Sequence, residues 1–208
     1  MIEHIHETAL IVVDVQYDFL PGGALAVPSG SEVIPVINRM ATKFAHIVMT
    51  QDWHPKGHVS FASSHPGKKP YDTVELSYGT QVLWPDHCVQ GTRGAEISDE
   101  LDLPGCRVIA RKGHHMGIDS YSTFMENDHT TSTGLAGYLK ELGVRSIFLA
   151  GLATDFCIQY SALDGVAAGF KVRLVEDACR GIDIEGSLAA AWAKMESVGV
   201  GRINSGDI

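Results

Sequence analysis

Six side chains of this sequence are of types that do chemistry: Asp14, Asp52, His54, His87, Lys112 and Cys157. Cys157 ends the stretch Gly151-Leu152-Ala153-Thr154-Asp155-Phe156-Cys157. It lies between the apolar run Ile147-Phe148-Leu149-Ala150 and a set of apolar residues at helical spacing, Ile158, Ala162, Val166 and Ala167. A cysteine in the first turn of a helix meets unpaired backbone N–H groups and the positive end of the helix dipole, both of which favour a thiolate. Thr154 or Asp155 is expected to cap that helix. An aspartate, a lysine and a cysteine brought together suit nucleophilic acyl transfer. Asp14 would take the thiol proton and return it to a leaving amine. Lys112 would hold Asp14 in place and favour the thiolate, and the N–H groups of Ala153 and Cys157 would receive the oxyanion. Asp52 and His54, two apart in extended chain, point the same way. Asp and His converging from one face suit a borderline divalent metal. His87, in Trp84-Pro85-Asp86-His87-Cys88-Val89, is the candidate third ligand, and His58 and Ser60 could join or flank the site. Such a metal could anchor a ring nitrogen of a substrate and activate nothing.

These groups need elements to position them. Thr8 to Val15 reads as a strand apolar on both faces, with Asp14 inside its C-terminal end, followed by a loop in which Phe19 could line a pocket. Ser31 to Phe44 reads as a helix capped by Ser31, its buried stripe marked by Val33, Ile34, Ile37, Met40 and Ala41. His46 to Thr50 is a second strand leading into Asp52. Phe61 to Ser98 has little sustained periodicity, and so long a loop is usually functional; Trp84 within it is a candidate pocket wall. Arg107 to Arg111 is a third strand and ends at Lys112. Gly134 to Leu142 is a helix stopped by Gly143. Lys171 to Val175 is a strand, Gly186 to Ser197 a helix and Val198 to Ile203 a last strand. Strands alternating with helices predict an α/β fold, a mostly parallel central sheet with helices on both faces. Ligands of such sheets sit beyond the carboxyl ends of the strands, and there Asp14, Asp52, Lys112 and Cys157 share one rim.

A chain of 208 residues fits one domain, residues 1–208. Its formal net charge of −9 argues against nucleic acid or an anionic membrane surface as partner. The four cysteines form no C-x-x-C pair, and with no signal peptide or long apolar span they read as reduced thiols of a cytoplasmic protein. The sequence does not fix the oligomeric state; a homo-oligomer is compatible with it.

Val13-Asp14-Val15-Gln16-Tyr17-Asp18-Phe19, Asp52-Trp53-His54-Pro55, Trp84-Pro85-Asp86-His87-Cys88-Val89, Lys112-Gly113 and Gly151 to Cys157 together resemble the nicotinamidases (pyrazinamidases) of the isochorismatase-like hydrolase superfamily. The resemblance runs from about Thr8 to about Cys179. The Asp, Lys and Cys motifs mark the superfamily; the metal motif with Trp84 points to nicotinamidase. The resemblance implies a three-layer sandwich and hydrolysis of nicotinamide. It makes Asp14, Lys112 and Cys157 the catalytic triad, and Asp52, His54 and His87 the ligands of one divalent ion, zinc before iron or manganese. It puts Phe19, Leu25, Trp84 and Tyr121 around the substrate ring, and it implies a cis peptide entering Thr154. Members differ in whether the residue at the place of His58 ligates the metal. Gly113-His114-His115-Met116-Gly117 departs from the usual Lys-Gly-Thr-Asn-Pro pattern, which leaves the shape of that loop open. Two other readings compete. A metal-free amidase or ureido-hydrolase of the same superfamily would not need the Asp52/His54/His87 set, and a non-catalytic binding module would not need a nucleophile.

Overall fold

Thr8 to Val13 forms strand β1, buried along its whole length. Its side chains alternate between two cores, as the period of two requires. Leu10 and Val12 enter one core with the helix-borne Val33, Ile37 and Met40, whereas Ala9, Ile11 and Val13 enter the other with Leu139, Ala162 and Met195. The computed structural model describes residues 5–208. Strands β2 (His46–Asp52), β5 (Cys106–Lys112), β6 (Ser146–Leu152), β7 (Lys171–Arg180) and β8 (Gly201–Ile203) join β1 in one sheet, in the order β5-β2-β1-β6-β7-β8. Every pairing in that sheet is parallel. Helix α1 (Val33–Ala41) packs on one face; α2 (Leu135–Glu141), α3 (Gln159–Ala167) and α4 (Ser187–Ser197) contribute to the core on the other. Full burial of side chains such as Ile37 and Met40 contributes about 1.5–3 kcal/mol each. Among the described residues no helix is long and apolar enough to cross a membrane.

The sheet runs outward from β1 through β2 to β5, then returns to place β6 on the other side of β1. The strand order therefore reverses between β1 and β6, the position at which open α/β sheets form a crevice. Asp14 follows β1 and Cys157 follows β6, so the two flank that crevice.

Several elements differ from the expectations. The first helix begins later, because Gly30–Glu32 form a 3-10 turn that feeds directly into α1; Glu32 is already helical there, and Ser31 does not cap it. The segment 61–98 contains a hairpin, β3 (Thr73–Leu76) with β4 (Gly79–Val82). Its strands are short and mostly exposed or half-buried, so no strong alternation marks them. β7 continues to Arg180, beyond the expected Val175, through a register irregularity against β6 at Leu149/Gly151.

Gly151 is required by a close approach. Its φ is 120°, and a Cβ there would stand 2.1 Å from the Val13 carbonyl oxygen. The strain of that φ and the forced shift of β1 each cost about 1–3 kcal/mol. Gly151→Ala is therefore expected to lower stability by about 3 kcal/mol or more, read as a large fall in Tm by thermal unfolding; a Tm within a degree or two of wild type would contradict the tight β1–β6 approach.

Candidate active site

Asp14 takes a left-handed conformation, φ 49°, just past β1, and its wholly buried side chain meets Thr50 of β2 and Lys112 of β5. The Thr50 hydroxyl donates to its Oδ1 at 2.6 Å. Its Oδ2 lies 2.8 Å from Lys112 Nζ but accepts no aligned hydrogen bond. Lys112, the last residue of β5, extends its side chain under β2 and donates to the Asp52 carboxylate, to the Ser120 carbonyl at 2.9 Å and to Cys157 Sγ at 3.4 Å. Three donors thus meet three acceptors, with a second carboxylate oxygen, Asp14 Oδ2, alongside. Burial works against the Lys112 cation, but Asp14 and Asp52 outweigh it and hold the ammonium protonated far beyond its usual range. Burial raises the Asp14 carboxyl above its ordinary range, with Lys112 opposing and Asp52 adding to the rise.

Cys157 lies in a π-helical turn, Thr154–Ile158, that opens α3. Its placement at a helix start agrees with the sequence; the expected ease of ionisation does not. Burial pushes the thiol well above its usual range; Lys112 pulls it back, and Asp14 and Asp52 push it up again. The resting group is a thiol beside a carboxylate, not a stored thiolate. The cap differs too, since neither Thr154 nor Asp155 caps the turn; Ala153 precedes it, in extended conformation. Asp155 instead accepts from the Ile182 and Asp183 N–H groups at 3.0 and 2.8 Å and from the Ser187 hydroxyl, which ties the loop after β7 to the turn. The cis peptide is Leu152–Ala153, one bond before the one expected at Thr154, because the chain leaves β6 at Leu152 and the turn begins from Ala153.

Asp52, His54 and His87 are buried, and one ligand atom from each falls within 4.8 Å of the others. Asp52 Oδ2 is 3.6 Å from His54 Nε2 and 3.9 Å from His87 Nε2. Each ring is oriented from behind: His54 Nδ1 is 2.9 Å from the Gly113 carbonyl and His87 Nδ1 2.8 Å from the Pro85 carbonyl. A carbonyl only accepts, so Nδ1 carries a proton in each ring and Nε2 points toward Asp52; burial works against the His54 cation, but Asp52 outweighs it and raises that ring above its ordinary range. Burial, with the neighbouring His54, brings His87 down to about 4, so its ring is neutral near pH 7. Two aligned imidazole nitrogens and one carboxylate oxygen fit a borderline divalent ion. Gln16 fixes this edge from below, accepting from the Asp52 N–H at 2.8 Å and donating to the Asp52 carbonyl at 2.8 Å. Gly113, at φ 63°, is needed here because a Cβ would stand 2.5 Å from the His54 ring. His58 stacks on His54 with ring centroids 4.4 Å apart. Its Nε2 lies 3.0 and 3.1 Å from the His115 and Ile118 carbonyls and its Nδ1 2.8 Å from Ser60 Oγ, so both nitrogens are engaged and neither is free as a ligand.

One cavity, with about 340 Å³ of empty space counted with its open mouth, joins the two groups. That is at the small end for ligand sites. Cys157 and Ala153 line one side and Asp52, His54 and His87 another, and Phe19, Leu25, Trp84 and Tyr121 all contribute walls. Trp84 is held by its indole N–H, which donates to the Tyr121 hydroxyl at 3.0 Å. Three further lining residues, Asp119, Phe156 and Ile182, were not anticipated. Phe156 stands edge-on to Trp84 at 4.8 Å, and its place inside the nucleophile stretch was the available signal. Asp119 accepts from the Ser120 N–H at 2.8 Å and from Gln81 Nε2 at 2.9 Å; nothing in the polar segment around it distinguishes it in the sequence.

The family model for the isochorismatase domain matches residues 8–205. The nicotinamidase of Acinetobacter baylyi is 56% identical over 200 residues, which cover 96% of this chain and 94% of that one. Among solved structures, a nicotinamidase and pyrazinamidase from Acinetobacter baumanii has a TM-score of 0.97 at 55% identity, with 99% of each chain covered. The pyrazinamidase of Pyrococcus horikoshii, solved in complex with zinc, has a TM-score of 0.78 at 39% identity, covering 95% of this chain and 99% of its own. Likeness of this extent, in sequence and in fold, leaves one assignment: the chain belongs to the isochorismatase-domain family, on its nicotinamidase branch.

Proposed function

We propose that the chain, acting as one domain in the cytoplasm, hydrolyses nicotinamide to nicotinate and ammonia, and pyrazinamide likewise, through a thioester on Cys157. The observation that carries this reading is the shared cavity. The thiol, backed by Lys112 and Asp14, opens into the same small space as the rings of His54 and His87. In the first half-reaction the Cys157 proton passes to Asp14 Oδ2, the oxygen left without a hydrogen bond, as Sγ attacks the carboxamide carbon. The N–H groups of Ala153 and Cys157 receive the oxyanion. Asp14 returns the proton to the amide nitrogen, the C–N bond breaks and ammonia leaves. In the second half-reaction water attacks the thioester, Asp14 takes its proton, the C–S bond breaks and Sγ recovers the proton. Because the resting thiol is not ionised, proton transfer and attack are coupled, and Lys112 keeps its charge throughout, offsetting Asp14 and Asp52.

A divalent ion, zinc by the donor set and by the Pyrococcus horikoshii neighbour, would be held by Asp52, His54 and His87 and would supply a Lewis-acid partner for the substrate's ring nitrogen. Phe19, Leu25, Trp84 and Tyr121 orient the flat ring and keep water from its faces. The direct test is ammonia release: the purified chain should convert nicotinamide to nicotinate with one ammonia per turnover, and no release at saturating nicotinamide would overturn the reading.

Asp14 can be tested by pH. Its carboxyl is raised above the ordinary 3.8, and the reaction needs it ionised, so kcat/KM should fall as pH drops through a midpoint above that value. Asp14→Asn keeps the shape but removes the acceptor, and kcat/KM at neutral pH should fall by about 10²–10⁴-fold. Full activity in the variant, or a wild-type profile flat to below pH 4, would remove Asp14 from the base role.

A further inference from the structure

The loop leaving β5 carries two adjacent histidines that the proposed reaction does not use. The side chains of His114 and His115 are 46% and 47% exposed, and their rings lie 4.1 Å apart. Both present Nδ1 to Glu126. His115 Nδ1 is 2.8 Å from each carboxylate oxygen, and His114 Nδ1 is 4.0 Å from Oε1. The Glu126 side chain is only 1% exposed. Among the described residues its carboxylate has no lysine or arginine partner and no hydrogen-bond donor other than His115. An ionised carboxylate buried in that way is costly unless it is paired or coordinates a cation. One ligand atom from each of the three residues falls within 4.8 Å of the others. The carboxylate sits at the base and the imidazoles at the surface, which leaves an open path of entry.

We propose that His114, His115 and Glu126 form a second divalent transition-metal site, which takes an ion of the zinc class and shares no residue with the Asp52/His54/His87 cluster. Two imidazole nitrogens with one carboxylate oxygen select zinc and its neighbours over magnesium or calcium, which prefer all-oxygen shells. Binding would fix a loop that backs the first cluster. The Gly113 carbonyl is the partner of His54 Nδ1 and the His115 carbonyl that of His58 Nε2, and the Met116 carbonyl accepts from the Val59 N–H at 3.0 Å. The second ion is thus a brace on the backbone that orients His54 and His58, with no contact to substrate.

The test uses the untagged full-length chain, stripped with a chelator, dialysed against zinc alone and assayed for bound metal. Wild type is expected to retain two zinc ions per chain. His114→Ala and His115→Ala should each retain one, and so should the double variant His54→Ala/His87→Ala, which empties the other cluster. His114→Ala leaves the His115–Glu126 hydrogen bond in place, so it separates loss of a ligand from loss of fold. Hydrogen exchange supplies a second readout: zinc should slow amide exchange across residues 113–118 in the His54→Ala/His87→Ala variant but no longer when His114→Ala is added. A single ion lost only in His54→Ala/His87→Ala, two ions retained in both single histidine variants of the loop, or no zinc-dependent protection of the loop would overturn the site. Neither readout involves hydrolysis, so failure here is distinguishable from failure of the proposed reaction.

Discussion

Cys157→Ala is expected to fold as the wild type does and to release no ammonia from nicotinamide above background, a loss of about 10⁴-fold or more in kcat. The expectation rests on what surrounds the sulfur. Cys157 is 7% exposed, its Sγ is 3.4 Å from Lys112 Nζ, and among the described residues no other thiol lines the cavity. The other three free cysteines do not substitute: Cys88 and Cys179 are buried outside the cavity lining, and Cys106 lies at the opposite end of β5 from Lys112. Truncation to alanine removes one buried atom, so stability should change by no more than about 1–2 kcal/mol, which thermal unfolding checks. Cys157→Ser should also be severely impaired, since a hydroxyl ionises far less readily than the thiol and its proton would have to pass to a carboxylate. Mass spectrometry of the wild type quenched during turnover should find the acyl adduct on Cys157 alone. Near wild-type turnover by the alanine variant would end the covalent mechanism.

Much of this arrangement was legible because β1, β2 and β6 are apolar runs that end in a polar group. A strand buried on both faces leaves a distinctive run, and the first reactive residue beyond it must stand on the sheet rim. That logic places Asp14, Asp52, Lys112 and Cys157 on one rim, and the register of β2 on β5, with Asp52 opposite Lys112, supplies the reason those two touch. His87 is harder to read: it sits in a segment without periodicity, and long-range bridges such as Phe61 to Trp84, His54 to Val89 and Gln16 to Ile97 bring that segment over the rim. The hairpin β3–β4 was missed because its strands lie largely at the surface, where no buried face enforces alternation. The electrostatics of Cys157 were misjudged for a related reason. A helix start and a lysine are visible in sequence, whereas burial beside two carboxylates is a property of the packed site, and burial is the largest influence on the thiol. Ser31 and Asp155 show the limit of cap signals: a 3-10 turn made the first cap unnecessary, and a long-range bond to the Ile182–Ser187 segment engaged the second.

Benzamide, identical to nicotinamide except for the ring nitrogen, is expected to be a poor substrate, with kcat/KM lower by about 10²-fold. The carboxamide of nicotinamide is two ring atoms from that nitrogen, so one rigid ring can place the reacting carbon at Cys157 while its nitrogen reaches the ion that Asp52, His54 and His87 would hold. Benzamide fills the same apolar walls, Phe19, Leu25, Trp84 and Tyr121, but nothing fixes its rotation between them. The same reasoning sets the effect of disturbing the cluster. Chelation, or His54→Ala, should chiefly raise KM and reduce kcat/KM by about 10–100-fold, and nicotinamide should then be handled little better than benzamide. Cys157 should remain open to alkylation in both cases, because its Lys112 and Asp14 neighbours are untouched. The comparison of the two substrates in the two enzyme forms isolates the ring nitrogen's contribution as a coupling between substrate atom and cluster. If the metal-loaded enzyme cleaved benzamide as efficiently as nicotinamide, the cluster would not anchor the ring, and Asp52, His54 and His87 would have to serve the structure of the rim or the activation of water.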